Sequence, residues 1–436
     1  MKYIPRIFSW WLLLVVLAMP VWPFFSTWLG SFGGREVWKS LLTIILAVLM
    51  VAGMAYLLVK RRDVLKSLFR HKLVWCASAF AVLVLGSVLF SAASAEAKVA
   101  AVAMDLRYFL VFIIGLALAK IDAPFWRNVL AKMPTAFIVM GVVLALIGLA
   151  QVLFLPADFL TIFGYGDGTI AASVSIDQTG VFRAFATLRG PNDYAAFLIL
   201  PLIFALARIW QKRSLWGGLA LIVVAAGLFA SSSRSAWLAA GLAATLFVIM
   251  KLPKTIYKTK RFWCTVAGVV LLGVTALIVA FSNPFLRLHI LHIRDGRDVT
   301  TATSNEDHAS SVQSSVDRVT SQPLGCGAGC SGPASYYDQA PKISENYYLQ
   351  IVEEYGWLGL ALWAAAVTLI AKELWKRREQ TSHLVFLAAL AGYLVIGLLL
   401  HVFVDEPLTV TWFALAGVLI GLPAWKSQSK SAKISG

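Results

Sequence analysis

Long apolar segments recur along the whole chain, and each is long enough to cross a bilayer as a helix. A hydrocarbon core of about 30 Å needs about 20 apolar residues in helical form. Because lipid offers no partners for free backbone groups, such a chain has to fold as a bundle of transmembrane helices. We predict an all-α polytopic bundle, one integral membrane domain over residues 1–436, with about twelve spans: 9–29, 38–59, 73–93, 101–119, 135–155, 193–210, 215–231, 235–251, 262–282, 346–371, 383–404 and 408–425.

The composition supports a membrane protein and excludes most soluble classes. The chain is 59% hydrophobic and only 14% charged, with a mean hydropathy of +0.78. A soluble domain of this size is far less apolar. The start of the chain resembles a signal peptide, with Lys2 and Arg6 ahead of an apolar stretch. No small-x-small cleavage site follows, so we interpret 9–29 as an uncleaved first span.

The membrane topology explains where the basic residues lie along the chain. A net charge of +16 would suggest nucleic-acid binding if the bases formed one surface patch. With the N-terminus inside, however, the predicted cytoplasmic segments hold 26 of the 38 Lys and Arg residues and only four of the 22 acids. This distribution follows the positive-inside rule. We therefore predict that both termini are cytoplasmic and that nucleic acid is not a partner.

Two connections are long, and both fall on the predicted outer side, at residues 156–192 and 283–345. Every other connection is short. Long loops on one face of a compact bundle are where function usually lies, so we expect the site at the outer interface. No internal repeat is visible in the sequence, which weighs against transporters built from inverted repeats.

The cysteines and acids show no metal-binding pattern. Cys326 and Cys330 flank a glycine-rich turn, where a small disulfide and a pair of free thiols are both open readings. No group of acids resembles a metal cage. We expect chemistry that needs neither a metal nor a cofactor.

Three arginines stand at the predicted outer boundary. Arg234 lies in a serine-rich turn between two spans, with no acid close to it in sequence, and Arg183 and Arg189 precede the span 193–210. A guanidinium group matches phosphate oxygens with a planar set of donors, and the attraction strengthens where water is scarce. The plainer alternatives are a snorkelling arginine at a helix end and a loop that only caps its helix.

For other polar residues near this boundary, a structural role and a role in a functional site are both possible interpretations of the sequence. Pro191 fits the first turn of a helix, where Asn192 and Asp193 are typical capping residues. Asp105 and Arg107 lie in the fourth predicted span and form either an internal ion pair or part of a site. A later acid pair, Asp405-Glu406, either joins the same vestibule or faces water.

Glu345 and Asn346 stand at the outer end of the tenth predicted span. Helical phase would place Glu345, Leu349 and Glu353 on one face. His308 begins an amphipathic segment in the same outer loop, although a lone loop histidine is more often solvated than catalytic. The charged groups thus share the outer interface, which suits a lipid-linked diphosphate at headgroup level better than a transported solute.

Three segments resemble the O-antigen ligase and polysaccharide polymerase superfamily of bacterial envelope proteins. They are the arginine loop 183–192, the serine-arginine turn 231–235, and the run 323–359, which leads from Pro-Leu-Gly-x-Gly-x-Gly through Glu-Asn to Glu-x-Gly-x-x-Gly. The similarity covers roughly residues 100–405. Many relatives carry His-Asn where this chain has Glu345 and an asparagine, and the glutamate is more similar to the exopolysaccharide and capsule polymerase branch.

The resemblance implies glycan transfer from an undecaprenyl-diphosphate donor to an acceptor glycan or glycolipid, at the outer face of a bacterial inner membrane. It implies that Arg183 and Arg234 hold the diphosphate and stabilise charge on the leaving group. Glu345 would be the general base that accepts the proton of the acceptor hydroxyl, alone or with His308. The remaining predicted binding residues are Arg189, His308 and Asn346.

Three questions stay open from the sequence. Polymerase and ligase are one reaction class and differ in the acceptor, which the chain does not encode legibly. A flippase for lipid-linked oligosaccharides, or another transporter, would place charged residues along a mid-membrane cavity between symmetric halves. A scaffold without enzymatic activity would tolerate replacement of Arg234 or Glu345.

Overall fold

The computed structural model describes residues 3–33, 59–166, 168–176, 181–253 and 301–423, with scattered residues between 44 and 56 and between 255 and 298. Within these residues lie thirteen bounded α-helices: α1 (Ile4–Ala18), α2 (Trp22–Gly33), α3 (Arg62–Leu68), α4 (Lys72–Ser87), α5 (Ala95–Ile121), α6 (Ala123–Leu153), α7 (Pro191–Lys212), α8 (Leu215–Ala230), α9 (Arg234–Lys251), α10 (Thr301–Ser321), α11 (Tyr347–Lys376), α12 (Thr381–Ile396) and α13 (Glu406–Gly421). Short 3-10 helices span Phe159–Phe163, Pro333–Tyr337 and Val402–Val404, and the antiparallel strands β1 (Ile293–Arg294) and β2 (Arg297–Asp298) form one small hairpin.

The helical membrane architecture is confirmed. Five helices, α5, α6, α7, α9 and α11, are long and apolar enough to cross a membrane, and two bent pairs raise that number to seven. The shorter apolar helices α8, α12 and α13 have 16 residues each. The predicted spans 38–59 and 262–282 lie almost wholly outside the described residues, so the total of twelve stays a prediction.

The division of 215–251 into two helices is confirmed, but two other boundaries were predicted wrongly. The expected span 9–29 is broken, because α1 ends at Ala18 and α2 leaves it at 84°. Pro23 lies in the first turn of α2, where its ring restarts the helix. The expected loop 120–134 is largely helical, because α6 begins at Ala123 with a proline in its first turn.

The helices alternate in direction, which gives the bundle two ends. At the first, here named the site end, α7, α9, α11 and α13 begin and α8 and α12 finish. The second is named the basic end. There Arg6 pairs with Asp122 at 2.6 Å and Lys120 lies 3.2 Å from His71. The structure therefore groups residues of separate predicted cytoplasmic segments at one end of the bundle.

Small residues bring α5 and α13 into backbone contact. An added Cβ at Gly417 would overlap the carbonyl oxygen of Phe112, and one at Gly115 would overlap that of Ala414. Helices in lipid have no hydrophobic drive to associate, so close backbone approach of this kind is what holds them together.

Replacing Gly417 with leucine is expected to destabilise the protein by about 3 kcal/mol, because the new side chain forces the two helices apart. Thermal unfolding in detergent measures the effect. The matched control is Gly241→Leu on α9, where an added Cβ has nothing within 4 Å. That variant should melt no lower than the wild type, since leucine favours helix over glycine. Equal melting temperatures for the two variants would contradict the packing described.

Candidate active site

Arg183 and Arg234 lie beside each other at the site end. The Nε of Arg183 donates to the carbonyl oxygen of Ser231 at 2.9 Å, and its Nη2 donates to Oδ1 of Asn192 at 3.0 Å. Burial, followed by the positive charge of Arg234, lowers the pKa of Arg183 to about 10. A like charge has this effect only when it is near. The fold thus unites two arginines that are distant in sequence.

Arg234 is the first residue of α9 and its side chain is exposed. Across the part of the chain that the structure describes, no carboxylate forms an ion pair with Arg183 or Arg234. The hydroxyls of Ser233 and Ser235 lie 3.4 Å apart in the same turn. Two adjacent cations, a helix N-terminus and nearby hydroxyls form an environment suited to an anion.

Gln151 near the C-terminus of α6 holds the arginine loop. Its Nε2 donates to the carbonyl oxygen of Ala186 at 2.8 Å, and its Oε1 accepts from the amide of the same residue at 2.7 Å. The amide of Ala184 donates to the carbonyl oxygen of Ala230 at 2.9 Å. Sequence reasoning missed Gln151, although a lone amide in the apolar stretch 135–155 was a visible signal.

Gln151→Leu is expected to lower transfer activity about tenfold, because the backbone of Ala186 loses two hydrogen bonds and Arg183 loses its fixed position. A glycan transfer assay on detergent-purified protein measures the change. Gln339→Leu, an exposed site with no side-chain hydrogen bond within the described residues, is the control and should keep full activity. Full activity in both variants would show that Gln151 does not position the loop.

Left-handed backbone conformations gather at the candidate site. Of the non-glycine residues with positive φ in the described ranges, Ala186 (50°), Ser232 (51°) and Glu345 (48°) each belong to one of the three motif segments. The fourth, Arg213 (45°), ends a helix. Non-glycine residues adopt this conformation at a cost, and such strain collects at functional sites.

Glu345 stands directly ahead of α11 and is half-buried. Its positive φ takes it out of the helical path, so the prediction that Glu345, Leu349 and Glu353 share one helical face is wrong. The side chain therefore leaves the chain at the bend before the helix. His308 lies on α10, and its side chain falls outside the described residues.

Asn346 is the N-cap of α11. Its Oδ1 accepts from the amides of Tyr348 at 3.0 Å and Leu349 at 3.1 Å, and its Nδ2 donates to the carbonyl oxygen of Leu398 at 2.9 Å. The side chain thus joins the start of α11 to the segment after α12. By contrast, Asn192 and Asp193 do not cap α7 with their side chains, because Asn192 instead holds Arg183.

The glycine-rich turn replaces broken hydrogen bonds inside α11. Gly356 has φ 67° and ψ −178°, which interrupts the helix and frees the carbonyl groups of the residues before it. The carbonyl oxygen of Glu353 accepts from the amide of Cys326 at 2.8 Å, and that of Glu354 accepts from the amide of Gly327 at 2.9 Å. The two halves of the third motif therefore dock against each other.

The side chains of Glu353 and Glu354 support this junction. Glu353 accepts from Arg318 at 3.0 Å and also from the hydroxyl of Ser331, while Glu354 accepts from the amide of Gly329 at 2.8 Å. Both carboxylates are buried, so they act as structural supports of the junction. The sulfur atoms of the two loop cysteines form a disulfide: Cys326 and Cys330.

A cavity of about 260 Å³ lies between the arginine loop and the segment that binds Asn346. Asn192, which fixes Arg183, lines one side, and His401 lines another. Asp405 also lines the cavity and is buried. Its burial, together with the negative charge of the neighbouring Asp193, raises the pKa of Asp405 well above the usual range. The carboxylate of Asp405 accepts a hydrogen bond from the backbone amide of Leu408 in the first turn of α13.

Arg189 does not join the arginine pair. Its Nη2 lies 3.4 Å from Glu406, whose other oxygen lies 3.6 Å from Arg107. The alternative of an internal ion pair between Asp105 and Arg107 is therefore wrong. Asp105 instead accepts from the hydroxyl of Tyr355 at 2.5 Å. The acid pair after α12 joins the vestibule, with Glu406 bridging two arginines.

Comparison with known families agrees with the motifs. Residues 219–364 match a family model described as O-antigen ligase. The matched part contains Arg234, Glu345, the glycine-rich turn and the break in α11, and it excludes the loop of Arg183. No curated protein matches the chain.

Proposed function

Since residues 219–364 match the O-antigen ligase family, we propose that the protein is a membrane glycosyltransferase that moves a glycan from undecaprenyl diphosphate to an acceptor glycan or glycolipid. The observation that carries this proposal is that Arg183 bonds to Ser231, in the turn that leads into Arg234, and that neither arginine has a carboxylate partner in the described ranges. Adjacent cations repel each other unless an anion lies between them. A diphosphate supplies that anion.

The two arginines take different parts in the reaction. Arg183 is fixed by Ser231 and Asn192, so its charge is held in place before the donor binds. Arg234 is exposed and forms no ion pair with any described residue, so its guanidinium group is available to the diphosphate oxygens. As the glycosidic bond to phosphate breaks, negative charge grows on the leaving diphosphate, and both guanidinium groups stabilise it.

Glu345 acts as the general base. It accepts the proton of an acceptor hydroxyl while that oxygen bonds to the anomeric carbon of the donor and the bond from this carbon to the diphosphate oxygen breaks. The cavity beside Asn192, His401 and Asp405 is large enough for a sugar ring and offers polar groups for hydroxyls. Undecaprenyl diphosphate leaves with its charge balanced by the arginines.

The site end faces the outside of a bacterial inner membrane. Support comes from the basic end, where Arg6, Lys120 and Lys212 lie at helix termini. Basic residues favour the cytoplasmic side. The donor then lies with its polyprenyl chain in the outer leaflet and its diphosphate at the level of the helix ends.

Reconstitution in nanodiscs with a synthetic undecaprenyl-diphosphate oligosaccharide tests the function. We expect release of undecaprenyl diphosphate and a lengthened glycan. A ladder of products from the donor alone indicates a polymerase, whereas a single product that requires an added glycolipid acceptor indicates a ligase. Movement of intact donor between leaflets of proteoliposomes, with no transfer to any acceptor, would instead establish a flippase.

A further inference from the structure

A second and larger cavity opens at the basic end, opposite the candidate active site. Its volume is about 480 Å³, within the range of roughly 300–1,000 Å³ that ligand pockets occupy. The N-terminal part of α6, the C-terminal part of α7, the start of α12 and the end of α13 form its walls. All four helices also reach the site end.

All of the charged residues that line this cavity are basic. Arg127, Arg208, Lys212 and Arg377 line it, and no aspartate or glutamate is among its lining residues. Arg377 donates to the carbonyl oxygens at the C-terminus of α13, which orients it without neutralising its charge. Four cations around one space without an acid attract an anion.

One of the lining arginines has unused hydrogen-bonding capacity. The Nε of Arg208 is buried and has no partner among the described residues, while its Nη1 reaches Thr135 only at 3.4 Å. His383 is buried among the lining residues, and its ring contacts the backbone of Leu419. A buried donor such as the Nε of Arg208 is normally satisfied, so the cavity calls for a ligand that accepts hydrogen bonds.

Part of the cavity wall is apolar. Leu130, Pro134, Phe204 and Leu419 line it, so the space is amphipathic. A free inorganic anion would leave this wall in contact with water. A phospholipid headgroup would place its phosphate among the cations and its glycerol and first methylene groups against the apolar wall.

We propose that this cavity binds the phosphate group of an anionic phospholipid. The guanidinium group of Arg208 supplies directed hydrogen bonds to the phosphate, and Lys212 and Arg127 add charge at the rim. The bound lipid would join the ends of α6, α7, α12 and α13. The site is distinct from the diphosphate site proposed above and does not depend on it.

Thermal unfolding of delipidated protein in detergent tests the proposal, titrated with dihexanoylphosphatidylglycerol, dihexanoylphosphatidylcholine or inorganic phosphate. A ligand that binds the folded state raises the melting temperature, and the titration gives its apparent Kd. We expect phosphatidylglycerol to bind at least tenfold more tightly than phosphatidylcholine. Tighter binding of phosphatidylglycerol than of phosphate supports a lipid, and equal binding of the two overturns the lipid as the source.

Variants assign the binding to the cavity. Arg208→Gln is expected to weaken phosphatidylglycerol binding by about tenfold or more, the effect of losing one charge-assisted hydrogen bond. Arg70→Gln removes the same charge from an exposed position that does not line the cavity and should bind as the wild type does. Lys212→Gln, an exposed rim residue, repeats the test if Arg208→Gln does not fold. If the Arg208 or Lys212 variant binds phosphatidylglycerol with the same affinity as the Arg70 control, the proposal is overturned. Because the assay contains no glycan donor, such a result would not bear on the proposed transferase function.

Discussion

Replacing Arg234 with alanine is expected to lower the rate of glycan transfer by a factor of about a hundred to a thousand, the usual effect of removing one group that stabilises developing charge. The variant is a clean test of chemistry because Arg234 is exposed and forms no ion pair within the described residues. Arg183 is less suitable, since its removal also breaks the contacts to Ser231 and Asn192.

The measurement is the initial rate of transfer from a lipid-diphosphate donor, with the melting temperature recorded for each variant. Lys342→Ala serves as the matched control, because this exposed cation lies in the segment before Glu345. It should retain the wild-type rate. Arg234→Lys should recover part of the activity, since lysine keeps the charge but loses the planar pair of donors. An unchanged rate in Arg234→Ala would exclude the diphosphate clamp.

Glu345→Gln is expected to reduce transfer by a factor of about a hundred to ten thousand, the range for loss of a general base. Glutamine has nearly the same shape but cannot accept the proton of an acceptor hydroxyl at neutral pH. The melting temperature should change little, because glutamine faces the same left-handed backbone conformation as the glutamate.

Two further variants sharpen the test at this position. Glu345→His introduces the residue that the family resemblance places at this position in many relatives, and it should restore activity if position 345 supplies a base. Glu96→Gln removes an exposed carboxylate from the first turn of α5 and should leave the rate unchanged. If Glu345→Gln is fully active, the proton must go to another group, and the carboxylates lining the cavity, led by Asp405, become the next candidates.

The helical bundle could be predicted because long apolar segments occur along the whole chain. Apolar runs of about 20 residues force helices in lipid, and the serine-rich turn at 231–233 separates α8 from α9 as the sequence indicates. The bend after Ala18 could not be predicted from hydropathy, because apolar residues continue through it. A proline lies in the first turn of both α2 and α6. A hydropathy scan does not take this signal for a helix start into account.

The sequence predicts which arginines belong to the candidate site but not the contacts that these arginines make. The sequence identifies Arg183 and Arg234. The hydrogen bonds from Gln151 to the arginine loop form only because one turn of α6 packs against that loop, and residue spacing does not reveal this contact. Arg189 resembles its neighbour in sequence yet pairs with Glu406, because the fold brings the start of α13 against it. Pairing partners are set by the tertiary structure, so charge alone cannot separate a binding arginine from a structural one.

The break in α11 has a consequence for how the protein is made. Two carbonyl groups in the first part of this helix are satisfied by amides of the loop at Cys326 and Gly327, which precede it in the chain. During synthesis the loop leaves the ribosome first, and in the topology proposed above it is exported before the helix enters the membrane. The loop is then already in position as the template on which α11 bends at Gly356, so insertion of this helix and folding of the loop are one coupled step.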